Sequence, residues 1–472
     1  MGDLRSDAIA IFRAGVAAVE PRRAVQRSLR RDGRTIHVDG GAVTVPEGGR
    51  VWIVGAGKAA VPMAAAAEVA LGDLVADGVV VTKSGHGGPL HRVRVLEGGH
   101  PVPDAAGVAA AREIAGMVSA AGDDDLILCV ISGGGSALLA APAPGISLDD
   151  EQATTRILLS CGSTIAEMNC VRKHLALLKG GGLARLASPR PIVSLILSDV
   201  VGDPLDVIAS GPTVGDPTTF ADAIEIAERY RILDRLPVAV RERLVRGRAG
   251  LEDETPKPGD PSLASTVNVL VATNAIALHG ARDEAVRRGY DARILSASII
   301  GEARSVAVGH AALARGIEET SQPVAPPACM LAGGEPTVTI VGHGRGGRSQ
   351  ELALAAAIRL AGTRRALVLA AGTDGTDGAT DAAGAFADGT TVERAAALGL
   401  DAQRHLDDND SYPFFEALGD LVRTGPTQTN VMDLHVILVA ARSCDARPRN
   451  GTASTGPEEG GEGAGRVERG MP

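Results

Sequence analysis

Along this chain, apolar residues come in short unbroken runs, each followed by a glycine-bearing turn and then an alanine-rich stretch. Residues 50–54, 78–82, 125–131 and 191–199 are four such runs. They are near-continuous rather than alternating, as strands buried on both faces of a parallel sheet should be. Ahead of them, residues 4–31 read as helix, with Ile9, Ile11, Phe12, Val16 and Val19 as apolar positions. A polar, proline-bearing segment at 251–265 interrupts the pattern and reads as a linker. A second series of runs follows at 267–272, 291–295, 328–332, 337–341, 366–371 and 434–439. Strands alternating with helices predict an α/β fold. Residues 447–472 have almost no apolar side chains and read as a disordered tail.

Composition narrows the range of partners. The 472 residues suit about two to three domains. The chain is 45% hydrophobic but has only five Phe, three Tyr and one Trp, so its core must rest on Ala, Val, Leu and Ile. A formal net charge of −10 argues against a nucleic-acid partner, which needs a basic face. A local basic pocket for an acidic substrate remains compatible with that charge. The five cysteines, Cys129, Cys161, Cys170, Cys329 and Cys444, lie far apart and form no CxxC pair. That favours reduced thiols in a cytoplasmic protein, with Cys129 and Cys329 in the core. The charged N-terminus lacks a secretory apolar core, and no apolar run reaches the roughly 18 residues of a membrane span.

Candidate chemistry sits at the ends of the apolar runs. Gly55-Ala56-Gly57-Lys58 closes the first and opens a small-residue helix, and Ser132-Gly133-Gly134-Gly135-Ser136 repeats that arrangement with more glycine. In α/β sheets such strand ends bind ligands, and backbone N–H groups there can cradle phosphates. The first turn lacks the third glycine of a dinucleotide fingerprint, and neither is a Walker A loop. Gly333-Gly334-Glu335 precedes a second glycine turn, 342–348, that carries Arg345 and Arg348 ahead of Ser349-Gln350-Glu351 and a helix. Arginine presents a planar fork matched to carboxylate or phosphate. Acidic turns at 198–203, 372–378 and 407–411 offer carboxylates for Mg²⁺ or a general base. Arg172-Lys173-His174 and the nearby Lys179 form a basic cluster that reads equally as a solvated helix face. No HxH or HExxH spacing suggests zinc.

Taken in order, these segments resemble the glycerate 2-kinase family with its C-terminal MOFRL domain. The matching pieces are Gly55-Ala56-Gly57-Lys58, Gly98-Gly99-His100-Pro101, Ser132-Gly133-Gly134-Gly135-Ser136, Asn169-Cys170-Val171-Arg172-Lys173-His174, Ser198-Asp199 with Gly202-Asp203, Ala209-Ser210-Gly211-Pro212-Thr213, Gly333-Gly334-Glu335, Gly346-Gly347-Arg348, Gly372-Thr373-Asp374-Gly375-Thr376-Asp377-Gly378, and Thr424-Gly425-Pro426-Thr427-Gln428-Thr429-Asn430. They span roughly residues 5–440. Two departures stand out. Ser349 occupies a position where the family usually has Asn, and Gln428 one where it usually has Gly, so residue 428 is expected to need a positive φ.

The resemblance implies a Rossmann-like N-terminal α/β domain over 1–255. A smaller C-terminal α/β domain over 266–442 would contain the MOFRL region at about 328–440, with the active site in the cleft between the two domains. It implies ATP-dependent phosphorylation of D-glycerate at its 2-hydroxyl, with Mg²⁺. Lys58 and Arg348 match residues important for activity. On that basis, the expected catalytic set is Lys58, Arg348, Arg345 and Asp199. Gly55, Gly57, Ser132, Gly133, Gly134, Gly135 and Ser136 would hold the nucleotide. Lys58, Arg348, Glu335 and Asn430 would hold glycerate, and Asp203, Asp374 and Asp377 would take the metal. A homodimer is compatible with this reading; a nucleic-acid or membrane partner is not. Two alternatives stay open: NAD(P)H-dependent hydroxypyruvate reduction and a non-catalytic metabolite-binding regulator.

Overall fold

The computed structural model describes residues 3–442; Cys444 and the 447–472 segment lie outside the described residues. The 4–31 stretch is not one helix. Helix Leu4–Ala18 ends at Val19, and Glu20 caps a second helix, Pro21–Ser28, whose first residue is a proline. Proline suits the first position of a helix but cannot continue one, which is why the chain breaks there. A small antiparallel ribbon that the sequence reading missed follows: β1 (Leu29–Asp32), β2 (Thr35–Val38) and β3 (Gly41–Thr44).

The first large sheet contains β4 (Val51–Ala56), β5 (Val75–Lys83), β6 (Val93–Gly98), β7 (Leu126–Ile131), β8 (Ile192–Leu197) and β9 (Thr266–Ala272). They are all parallel, in the order β6-β5-β4-β7-β8-β9. Counted within the sheet this is 3-2-1-4-5-6, the doubly wound dinucleotide-fold order, whose ligand crevice opens where the order reverses, between β4 and β7. The glycine turns at 55–58 and 132–136 follow those two strands.

Residues 267–272 were read as the start of the second α/β series, yet β9 pairs in parallel with β8 and completes the first sheet. The polar 251–265 stretch therefore lies within the first half. Its Thr255 hydroxyl donates to buried Asp216, and the chain leaves for the second half only at Thr273, the cap of helix Asn274–Arg287. Composition marked an irregular segment there; strand pairing decides which sheet it serves.

The second sheet is mixed. It contains β10 (Asp291–Ile299), β11 (Ala328–Gly334), β12 (Ala366–Gly372), β13 (Gly384–Asp388), β14 (Leu421–Val422) and β15 (Asp433–Val439), in the order β10-β11-β15-β12-β13-β14. Residues 337–341 were expected to be a strand but are not. Apart from one bridge between Thr337 and Glu302, the segment pairs with no strand among the described residues, and Ile340 and Val341 are exposed. Asn409 holds it instead, its side-chain oxygen accepting from the Val341 and Gly342 N–H groups.

The expected alanine- and aliphatic-rich core is present. One continuous apolar cluster runs from Val51, Leu128 and Leu195 in the first sheet to Leu331, Leu369 and Leu434 in the second. Helix Leu4–Ala18, expected in the N-terminal domain, packs on the second half instead, against helix Asn274–Arg287 and β15. Cys129 and Cys329 are fully buried in strands. No helix among the described residues is long and apolar enough to cross a membrane.

Candidate active site

The two glycine turns at the switch point are laced together. Lys58 N–H donates to the Gly133 carbonyl at 2.9 Å, and Ala59 N–H donates to the Ser132 hydroxyl at 2.9 Å. This contact explains the first turn's glycines. A side chain on Gly57 would start 2.1 Å from the Ser132 hydroxyl, and one on Gly55 would start 2.2 Å from the Val130 carbonyl. Both glycines allow turn-to-strand packing, and neither is left open for a dinucleotide.

The second turn has a different surface. Gly134 takes φ 83°, and a β-carbon there would start 2.9 Å from the His100 ring and 3.6 Å from Lys58 Cγ. A β-carbon on Gly133 would overlap the Asp199 carboxylate at 2.0 Å. The turn thus brings Lys58, His100 and Asp199 onto one backbone surface, which only glycine permits. Burial pushes the Asp199 carboxyl up to about 6; Lys58 opposes that shift, and Glu335, from the other half, adds to it. Burial, together with Lys58, Lys83 and His86, pushes His100 down to about 4. Lys58 is half-buried and has no carboxylate within salt-bridge reach among the described residues.

From the second half comes Arg348, the first residue of helix Arg348–Leu360. Its Nε and Nη2 donate to Asp433 at 2.7 and 3.0 Å, and Nη1 donates to Glu335 at 2.7 Å. Burial works against this charge, but Asp433 and Glu335 outweigh it and hold the guanidinium above its ordinary pKa. Asp433 itself is buried and pushed up by that burial, with Arg348 opposing. The sequence signal for Asp433 was present but unused: a carboxylate heading a strand that is apolar but for His435 needs a cation.

Several expected residues have other positions. Arg345 lies over the Tyr412 ring at 4.1 Å and is exposed. Asp377 caps helix Arg348–Leu360, accepting from the Ser349 and Gln350 N–H groups at 3.1 and 2.8 Å. Burial and then Asp433 push its carboxyl up to about 7. Asp374 accepts from Thr376 within its own turn, Asp203 sits at φ 55°, and Asn430 accepts from Met432 N–H two residues on. Among the described residues no group of three or more His, Cys, Asp or Glu could hold a metal ion. The three aspartates assigned to the metal are therefore not gathered into a site. The basic cluster, expected to be as readily solvated as functional, is internal: Lys173, His174 and Lys179 are each at most 2% exposed.

A doubly wound sheet with an unpaired lysine and a glycine turn at its switch point, joined to a second half whose Arg348 opens a helix, defines an α/β protein with a candidate anion site. Residues 7–245 match a domain of unknown function (DUF4147), and 328–433 match the MOFRL family. A glycerate 2-kinase from Pyrococcus horikoshii is 41% identical over 93% of this chain and 98% of its own length. A crystal structure of glycerate kinase from Thermotoga maritima superposes with a TM-score of 0.83 at 39% identity, covering 93% of this chain and 99% of that one. An Agrobacterium vitis relative, 44% identical over 91% of this chain and 93% of its own length, is named instead as a hydroxypyruvate reductase. The chain belongs to the glycerate 2-kinase family.

Proposed function

We propose that the protein transfers the terminal phosphoryl group of ATP to the 2-hydroxyl of D-glycerate, giving 2-phosphoglycerate and ADP. The observation that carries this reading is the meeting of two sets of groups. Lys58, the 132–136 turn and Asp199 come from the first half and Glu335 and Arg348 from the second, with Lys58 and Glu335 both acting on the Asp199 charge. The names of the Pyrococcus and Thermotoga relatives support the same substrate. The free, mostly buried cysteines suit a cytoplasmic setting.

Phosphoryl transfer asks the protein mainly to position the reactants and neutralise charge. The 132–136 turn offers backbone donors, and Lys58 offers a positive charge that no carboxylate among the described residues holds in a salt bridge. Asp199, poised near neutrality, takes the proton from the 2-hydroxyl as the new O–P bond forms. Arg348 receives the substrate carboxylate. Its Glu335 contact is the exchangeable one, because that side chain is 43% exposed while Asp433 is 1% exposed and keeps the fork oriented. Mg²⁺ would supply further charge neutralisation on the phosphates. Asp203, Asp374 and Asp377 do not converge to hold it, so no step here is routed through the metal.

The Agrobacterium name favours reduction of hydroxypyruvate, but the packing of Gly55 and Gly57 against Val130 and Ser132 leaves that turn without a dinucleotide fingerprint. A coupled assay on D-glycerate and ATP that separates 2- from 3-phosphoglycerate tests the proposal. Formation of 2-phosphoglycerate supports it. Oxidation of NAD(P)H on hydroxypyruvate without phosphoryl transfer would overturn it.

A further inference from the structure

Arg172 lies on helix Ile165–Lys173, and its Nη2 donates to the Ser136 hydroxyl at 2.9 Å. Ser136 is also 2.8 Å from the Ser210 hydroxyl, which in turn donates to Asn169 on the same helix as Arg172. The guanidinium is half-buried, and its Nε is enclosed with no hydrogen-bond partner.

Buried charges are normally paired, and every neighbouring cation here follows that rule. Lys179 holds Glu151 at 3.0 Å with both side chains buried, and Lys173 lies 3.3 Å from both Asp206 and Asp216. Arg172 alone in this cluster has no carboxylate within salt-bridge distance among the described residues. Burial lowers its pKa, and the only opposing charge is Glu151, already committed to Lys179.

The backbone opposite is also held in an uncommon conformation. Ala209, Ser210 and Gly211 have φ values of 50°, 62° and 58°, and a β-carbon on Gly135 would start 2.8 Å from that of Ala209. Three consecutive left-handed residues, two of them not glycine, persist only where the surroundings impose them, as around ligand clamps.

We propose that Arg172, oriented by Ser136 and Ser210, is a second phosphate-binding arm that takes an oxyanion of the nucleotide donor at the opposite end of the 132–136 turn from Lys58. This rests on the reading of that turn as the donor-phosphate site. The oxyanion supplies the missing negative partner, Nη1, which makes no hydrogen bond and is not enclosed as Nε is, supplies the open donor, and the Ser136 contact on Nη2 sets the plane of the fork. Glycerate also carries an oxyanion, so the experiment must tell the two sources apart.

The test measures the KM for ATP and for D-glycerate, and the Kd of ADP by calorimetry, in the full chain carrying Arg172→Met, Arg172→Lys or Ser136→Ala. Arg172→Met should weaken ADP binding and raise the ATP KM about 10- to 100-fold, the range for loss of one hydrogen-bonded charge. The glycerate KM should stay within about threefold. Arg172→Lys should recover only part of the loss, because the planar fork is gone. Ser136→Ala should give the smallest effect. If Arg172→Met does not fold, the shift in Tm produced by inorganic pyrophosphate decides: it should be large in the parent and clearly smaller in Arg172→Lys.

Unchanged ADP affinity and ATP KM in a folded variant would overturn the proposal. So would a change confined to the glycerate KM, which would mean that the arm holds the acceptor. If the parent phosphorylates glycerate and Arg172 proves indifferent, this site fails while the kinase reading stands. If ADP binding depends on Arg172 but glycerate is not phosphorylated, the site stands while the kinase reading fails.

Discussion

The glycine turn after β7 and the glycine turn before helix Arg348–Leu360 each lie beside an arginine, but they surround it differently. At the second turn, Arg348 meets Asp433 and Glu335 directly, with Asp377 capping the same helix. At the first, Lys58 and Arg172 meet no carboxylate within salt-bridge range among the described residues, and Asp199, whose charge Lys58 favours, lies over Gly133 with its pKa raised by burial. Carboxylates that neutralise an arginine hold its fork in a fixed orientation but must partly yield before a substrate anion can bind. Unpaired cations keep their full attraction for an incoming anion but are less firmly oriented. The neutralised arrangement around Arg348 suits a small acceptor that has to be aligned, and the unpaired one at the turn after β7 suits a highly charged donor.

The largest effect that would break this contrast is at Asp199. Asp199→Asn should lower kcat by about 10²- to 10⁴-fold. In the parent, the ionised carboxylate is the active form, so kcat/KM should rise about tenfold per pH unit below about 6 and level off above it. A pH–rate profile of the variant should lack this limb; an unaltered limb would assign it to another group.

Next is Asp433. Its removal leaves Arg348 partly buried with only its exposed Glu335 contact, so Asp433→Ala should cost about 3–5 kcal/mol of stability, read by calorimetric unfolding. Lys58→Ala should leave the melting temperature nearly unchanged, because Lys58 has no salt-bridge partner among the described residues to lose. An equal loss of stability in both variants would erase the distinction between the two turns.

In kinetics, Lys58→Ala and Arg348→Ala should each lose about 30- to 1000-fold in kcat/KM, the effect of removing one charge-assisted contact. Arg348→Lys should also be impaired, since a lysine cannot grip Asp433 with two donors. Values within about threefold of the parent for all three would reassign both residues to the scaffold. The smallest effect should come from Glu335→Gln. The pair is solvent-exposed, so stability should change by at most about 1 kcal/mol, and the glycerate KM should hold or fall as Arg348 is released.

Much of this was legible along the chain, and the rest failed for identifiable physical reasons. The buried strands and the turns at their ends follow from apolar runs and glycine placement, and Gln428 takes the positive φ expected of it, 63°. Strand membership was less accessible: β9 looks the same whichever sheet it joins, and only pairing with β8 decides. Residues 337–341 have strand propensity but no partner beyond one bridge. Lys173 and Lys179 look like solvated charges in sequence, and become internal only because Glu151, Asp206 and Asp216, distant along the chain, are brought beside them. Asp377 shows the same effect in reverse. A Gly-Thr-Asp turn suits a metal, but the turn lies at the start of a helix, whose free N–H groups claim the carboxylate.

The path of the backbone has a kinematic consequence. The chain passes between the halves twice, at Val19–Glu20 and at Thr273, and the first passage is fastened by the Thr429 hydroxyl donating to the Val19 carbonyl at 2.8 Å. A body attached at two points turns about the line through them. Any relative motion that preserves both attachments is therefore a swing with a single angle. Lys58 and Arg348 belong to different halves, so that one angle sets how far apart their charges stand.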